Sequence, residues 1–189
     1  MQKIGIYGGT FDPIHHAHLI LAREALEQLE LEQVVFVPAA LSPHKLDGQP
    51  TPAAVRLEML RAALAGEAYF SIDERELNRP PPSFTIDTIE DFARSHTGRK
   101  LFYLIGSDNL PRLHTWHRID DLRKLVEFVV LDRGQSATDL SFRTIRRPIE
   151  ISATEIRKRV AEGRSIRYLV PPAVEEIIRR HHIYQDSHR

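Results

Sequence analysis

The sequence predicts an α/β sandwich on a mainly parallel sheet. Strand-like and helix-like segments alternate from start to end, the pattern left by successive strand–helix–strand units. Leu101–Ile105 and Glu127–Leu131 are apolar almost throughout, as strands covered on both faces are. A chain of 189 residues, 42% hydrophobic and 28% charged, has the size and composition of one globular domain.

Gln2–Tyr7 reads as the opening strand, halted at Gly8–Gly9. His16–Glu30 sets Ala22, Ala25, Leu26 and Leu29 on one helical stripe. Val34–Pro38 has the β-branched character of a second strand. Ala39–Thr51 is a loop rich in proline, serine and glycine, and Pro52 stands where a first-turn proline opens a helix reaching about Leu64. Tyr69–Ile72 is a short strand, and the prolines of Arg79–Ser83 forbid regular structure. A helix is expected over Thr85–Ser95 and a turn over His96–Arg99. Gly106-Ser107-Asp108 and a short turn at Asn109–Leu113 follow the first apolar run, then a helical piece closing at Leu122–Leu125. Thr154–Glu162 and Pro172–Arg180 are the last helices, and Val174, Ile177 and Ile178 give the latter an apolar face. One domain over residues 1–189 is expected, with about 150–189 as a small carboxy-terminal helical part.

Composition removes several classes of function. The chain has no cysteine, which excludes disulfides, thiolate catalysis and cysteine-ligated metals. No apolar run approaches the roughly 18–20 residues of a membrane span, and MQKIGIYGG does not read as a secretory signal. Cytoplasm is the expected compartment, with no membrane partner. Basic and acidic residues balance at 26 each, and aromatics make up 7%. A nucleic-acid binder needs a basic, aromatic-bearing surface, so no nucleic-acid partner is expected. The balance hides a gradient: residues 1–139 carry 15 basic and 20 acidic groups, residues 140–189 carry 11 and 6. The basic third suits a small anionic substrate or a solvated helix face. The sequence carries no signal for an oligomeric state.

Five constellations carry chemistry. Gly8-Gly9-Thr10-Phe11-Asp12-Pro13-Ile14-His15-His16-Ala17-His18 joins the first strand to the first helix. Two glycines admit a bulky ligand close to the backbone, and a helix start offers N–H groups and a positive dipole end to phosphate. His15 and His18, three apart, share a face if both lie on the first helical turn. Phosphate binding, metal binding and a plain tight turn all fit these residues. Ser152 and Glu155 in Ile151–Arg157 form a capping-box pattern. Thr154 and Arg157 make the same helix start an anion site as well. Gly106 and Asp108 end a strand where ligands of parallel sheets bind. Trp116, the only tryptophan, sits among His114, Thr115 and His117, as core residue or as stacking platform for a flat heterocycle. His44 and Lys45 are a cationic pair on the long loop, solvated or substrate-facing.

Together these segments resemble the nucleotidylyltransferase superfamily. GGTFDPIHHAH is similar to its T/H-x-G-H region, and ISATEIR to its I-S-S-T-x-I-R signature. Ser42–Lys45 (SPHK), Ser83–Thr88 (SFTIDT) and Gly106–Leu122 narrow the resemblance to the bacterial nicotinate-nucleotide adenylyltransferases, over Lys3 to about Tyr184. Ala17 stands for the signature glycine between the histidines, and Ala153 for the second serine.

The resemblance implies a Rossmann-like parallel sheet flanked by helices. It implies transfer of AMP from ATP to nicotinate mononucleotide, giving deamido-NAD and pyrophosphate, with Mg2+ accompanying ATP. His15, His18 and Arg157 are implied as catalytic contacts to the phosphates. Gly8, Gly9, Thr10, Gly106, Asp108, Ser152 and Thr154 are implied for ATP. His44, Lys45, Thr85, Trp116 and Arg133 are implied for the acceptor, with Thr85 near the carboxylate and Trp116 on the ring. The residues alone leave two alternatives: the same transfer to nicotinamide mononucleotide or pantetheine phosphate, and a nucleotide-binding regulator without catalysis. An acceptor phosphate is already anionic at neutral pH and needs no general base. Positioning and charge stabilisation are then the expected means of catalysis, with no covalent intermediate.

Overall fold

The computed structural model describes residues 2–40, 50–80, 83–134 and 141–185. Six strands form one sheet: β1 (Lys3–Gly9), β2 (Gln33–Pro38), β3 (Phe70–Ile72), β4 (Lys100–Gly106), β5 (Glu127–Asp132) and β6 (Arg143–Arg146). Their spatial order is β3-β2-β1-β4-β5-β6, and every neighbouring pair is parallel. This is the doubly wound Rossmann-like order. Connections run outward in opposite directions from β1 and β4, which opens a crevice beyond the carboxyl ends of those two strands. Gly8 and Gly9 close β1 there, and Gly106 closes β4.

Side-chain alternation along the strands builds two cores. One face presents Tyr7, Phe36, Leu104 and Leu131 to α1 (His16–Gln28), α2 (Ala53–Leu64), α5 (Ala153–Ala161) and α6 (Pro172–Arg180). The other presents Ile6, Val35, Tyr103 and Val130 to α3 (Thr85–Ser95) and α4 (Ile119–Leu125). The apolar face expected on the last helix is real. Val174, Ile177 and Ile178 are buried in the first core, and Arg180 and His181 of the α6 end meet Glu58 of α2.

Most sequence-read elements lie within a residue or two of their observed bounds. Three differ for physical reasons. β1 continues through both glycines, because Gly8 and Gly9 keep parallel register with Val37 and Pro38 of β2. The turn expected at Asn109–Leu113 is a longer 3₁₀ segment, Ser107–Thr115, which delivers Trp116 to the far face of the sheet. β6 was not expected. It is an edge strand of four residues in which Ile145 alone is buried, too short and too polar to announce itself.

Candidate active site

The crevice is a cavity of about 460 Å³. Gly8, Gly9 and Thr10 line it from the end of β1, His15 and His18 from the start of α1, and Gly106 and Asp108 from the end of β4. Arg133, just beyond β5, and Ser152, Thr154 and Arg157, from the start of α5, complete the opposite wall. The two signature segments therefore face one space.

A direct bond joins them. Arg157 Nη1 donates to the main-chain oxygen of Asp12 at 2.8 Å, across 145 residues of sequence, and Nη2 donates to Thr154 Oγ1 at 3.4 Å. Ser152 Oγ accepts from Glu155 N–H at 3.1 Å, so Ser152 caps α5 while lining the cavity. Glu155 turns to Arg159 at 3.8 Å and does not complete a reciprocal box. Arg133 Nη1 donates to Ile151 O at 2.9 Å, which fixes it beside the second signature.

The histidine pair is not two helical residues on one turn. His15 is the N-cap of α1, in extended conformation, and His18 is the third helical residue. Their rings nonetheless stack, with centroids 3.6 Å apart. His15 N–H donates to His18 Nδ1 at 3.2 Å. A ring nitrogen that accepts carries no proton, so neutral His18 holds its proton on Nε2. His15 is buried, and burial, reinforced by the Arg133 charge, pushes its pKa down to about 3. His15 stays neutral at physiological pH and brings a dipole, not a cation, to the site. The guanidinium charges among the described lining residues are those of Arg133 and Arg157, on the opposite wall.

Thr85 and Trp116 lie on the other side of β1. Thr85 opens α3 and bonds the Tyr103 hydroxyl. Trp116 packs perpendicular to Tyr103, centroids 5.8 Å apart, and against Phe128 at 6.3 Å. Neither lines the main cavity. The glycine at position 8 brings the two regions together, since a Cβ there would overlap the Tyr103 hydroxyl. Arg133 lines the main cavity together with Ser152, Thr154 and Arg157. His44 and Lys45 lie outside the described residues.

Residues 6–159 match the family model described as Cytidylyltransferase-like. A Thermomicrobium roseum protein named "Probable nicotinate-nucleotide adenylyltransferase" is 42% identical, over 98% of this chain and 92% of its own. An Exiguobacterium sibiricum protein of the same name is 45% identical, over 97% of this chain and 99% of its own. The chain belongs to the nicotinate-nucleotide adenylyltransferase family. It is accordingly a nucleotidyltransferase, as its signatures implied. The fold agrees: Plasmodium falciparum nicotinic acid mononucleotide adenylyltransferase complexed with NaAD superposes with a TM-score of 0.82 at 20% identity, over 97% of this chain and 98% of that one.

Within this family site, sequence reading missed three residues. Asp12 accepts through three oxygens: its main-chain oxygen from Arg157, Oδ2 from Thr51 N–H at 3.1 Å, and Oδ1 from the Tyr184 hydroxyl. Arg56 of α2 is buried and donates to Thr51 O at 2.9 Å, Thr10 O at 2.7 Å and Ala40 O at 3.3 Å. Tyr184 lines the cavity from beyond α6. Asp12 lay inside a quoted signature, but nothing local marks its carboxylate as a hub. Arg56 and Tyr184 carry no sequence signal, because their partners are remote in the chain.

Proposed function

We propose that this family member transfers AMP from ATP to nicotinate mononucleotide, giving deamido-NAD and pyrophosphate in NAD biosynthesis. The observation that carries the reading is the Arg157–Asp12 bond, which supports one phosphate cradle assembled from both signatures. The triphosphate lies along Gly9, Thr10 and the amino-terminal end of α1, where main-chain N–H groups and the helix dipole favour negative charge. His18 donates from Nε2, and Arg157 and Arg133 supply positive charge as pyrophosphate leaves. Ser152 and Thr154 line the same wall, and Gly106 and Asp108 meet the adenosine.

The acceptor sits toward Thr85 and Trp116. The amino-terminal end of α3 favours the nicotinate carboxylate over an uncharged carboxamide. Trp116, held by Tyr103 and Phe128, stacks on the pyridine ring. His44 and Lys45 complete the acceptor side in this reading. Its phosphate attacks the α-phosphorus without a general base.

Mg2+ fits as a companion of the nucleotide. Among the described residues no cluster of three or more His, Asp or Glu side chains could hold a metal ion by itself. Among the described lining residues Asp12 and Asp108 carry the carboxylates, neither of them part of a metal-binding cluster, so the ion would be held by the ATP phosphates. Such an ion neutralises phosphate charge when bound. Cytoplasmic location fits small soluble substrates, and no described helix is long and apolar enough to cross a membrane.

Pyrophosphate release tests the reading. With ATP, nicotinate mononucleotide supports turnover well above nicotinamide mononucleotide or pantetheine phosphate. Trp116→Ala raises KM for the acceptor and leaves KM for ATP near the wild-type value. Equal use of the three acceptors, or equal KM changes for both substrates, overturns the acceptor assignment.

A further inference from the structure

We infer that Tyr184, in the segment after α6, is a positioning residue for the triphosphate cradle, acting through Asp12 on Arg157. The inference rests on the reading of this cavity as the ATP site. The Tyr184 hydroxyl donates to Asp12 Oδ1, across 172 residues of sequence, and lies in hydrogen-bonding contact with the Thr51 side chain. The second Asp12 oxygen receives the Thr51 N–H at 3.1 Å. With both carboxylate oxygens tethered, Asp12 has little freedom to rotate. Its main-chain oxygen then presents a fixed acceptor to Arg157 Nη1 at 2.8 Å. The guanidinium is oriented by that bond and by Thr154 Oγ1.

The backbone supports a deliberate placement. Tyr184 has φ of 63°, a left-handed conformation unfavourable for an aromatic residue. In that conformation its ring forms part of the cavity wall. Burial and the Asp12 charge both push the phenol pKa up, so the hydroxyl keeps its proton and remains a donor. Ile183 and Tyr184 pack against the first core, which couples the end of α6 to the loop after β1.

Removing one hydroxyl isolates this role, because Tyr184→Phe keeps the ring and its packing. ATP and nicotinate mononucleotide are titrated separately by calorimetry into four proteins: wild type, Tyr184→Phe, Asp12→Ala and the double variant. Tyr184→Phe weakens ATP about five- to tenfold, the scale of one net intramolecular hydrogen bond felt through Arg157, and leaves nicotinate mononucleotide affinity unchanged. In the Asp12→Ala background the same change alters ATP affinity less than twofold. An unaltered ATP affinity for Tyr184→Phe overturns the inference. So does an equal weakening in both backgrounds, or of both ligands, since either marks a merely structural tether. Should Asp12→Ala fail to fold, Asp12→Asn replaces it. The amide has one acceptor oxygen for two donors, so its tie to Tyr184 is weakened; Tyr184→Phe must then lower ATP affinity less in this background than in wild type, and an equal loss also overturns the inference. Wild-type protein that binds no ATP defeats the parent reading instead.

Discussion

Replacing His18 by alanine lowers kcat roughly 10²–10³-fold, equivalent to about 2.7–4 kcal/mol of transition-state stabilisation. His15 N–H occupies His18 Nδ1, so the donor proton sits on Nε2. Stacking on His15 at 3.6 Å, with perpendicular contacts to Phe11 at 5.3 Å and Tyr7 at 6.0 Å, fixes the ring plane. The donor is therefore set before the nucleotide arrives and needs no reorganisation as charge builds on the leaving pyrophosphate. It also lies in the first turn of α1, where the helix dipole adds to its effect. Steady-state kinetics with saturating ATP and acceptor check this. A His18→Ala enzyme that keeps near-wild-type turnover removes His18 from the chemistry.

The second large effect falls on stability. Arg56→Met destabilises the fold by about 3–5 kcal/mol, the lower part of the sum for three half-buried carbonyls left unpaired at roughly 1–3 kcal/mol each. Arg56 is 1% exposed, and its guanidinium reaches three main-chain oxygens, those of Thr10, Ala40 and Thr51. Methionine matches much of its volume and offers no donor, so three half-buried main-chain carbonyls lose their partner. At roughly 2–4 °C per kcal/mol for a chain of this size, Tm drops by about 6–20 °C. Arg56→Lys recovers only part of the loss, because one ammonium cannot span the fork that a planar guanidinium covers. Urea and thermal unfolding measure both variants. A loss below about 1 kcal/mol for Arg56→Met contradicts the geometry.

These two residues also mark how far the sequence could be read. His18 was legible because its chemistry is written locally, in a glycine-rich strand end followed by a helix start. The β1, β2, β4 and β5 strands were legible for a similar reason: near-continuous apolar runs have few alternatives in an α/β chain. Arg56 was not legible. It sits in a helix where an arginine ordinarily faces water, and only the tertiary arrangement converts it into the tie between the β1–α1 loop and both ends of the β2–α2 loop. Asp12 and Tyr184 share that opacity, since their bond spans nearly the whole chain. The His15–His18 relation was half legible. Spacing correctly implied proximity, but His15 as an extended cap held neutral follows from its burial at the start of α1 and from the nearby Arg133 charge. Ser152 shows both of its sequence readings at once, a helix cap that also lines the cavity.

The proposed chemistry requires a single nucleotide to span the start of α1 and the start of α5. The most direct measurement is a crystal structure of the protein with a non-hydrolysable ATP analogue. The phosphates of one analogue molecule should lie within hydrogen-bonding distance of both His18 Nε2 and the Arg157 guanidinium. An analogue bound outside this cavity, or one whose phosphates touch His18 while Arg157 stays remote, would contradict it.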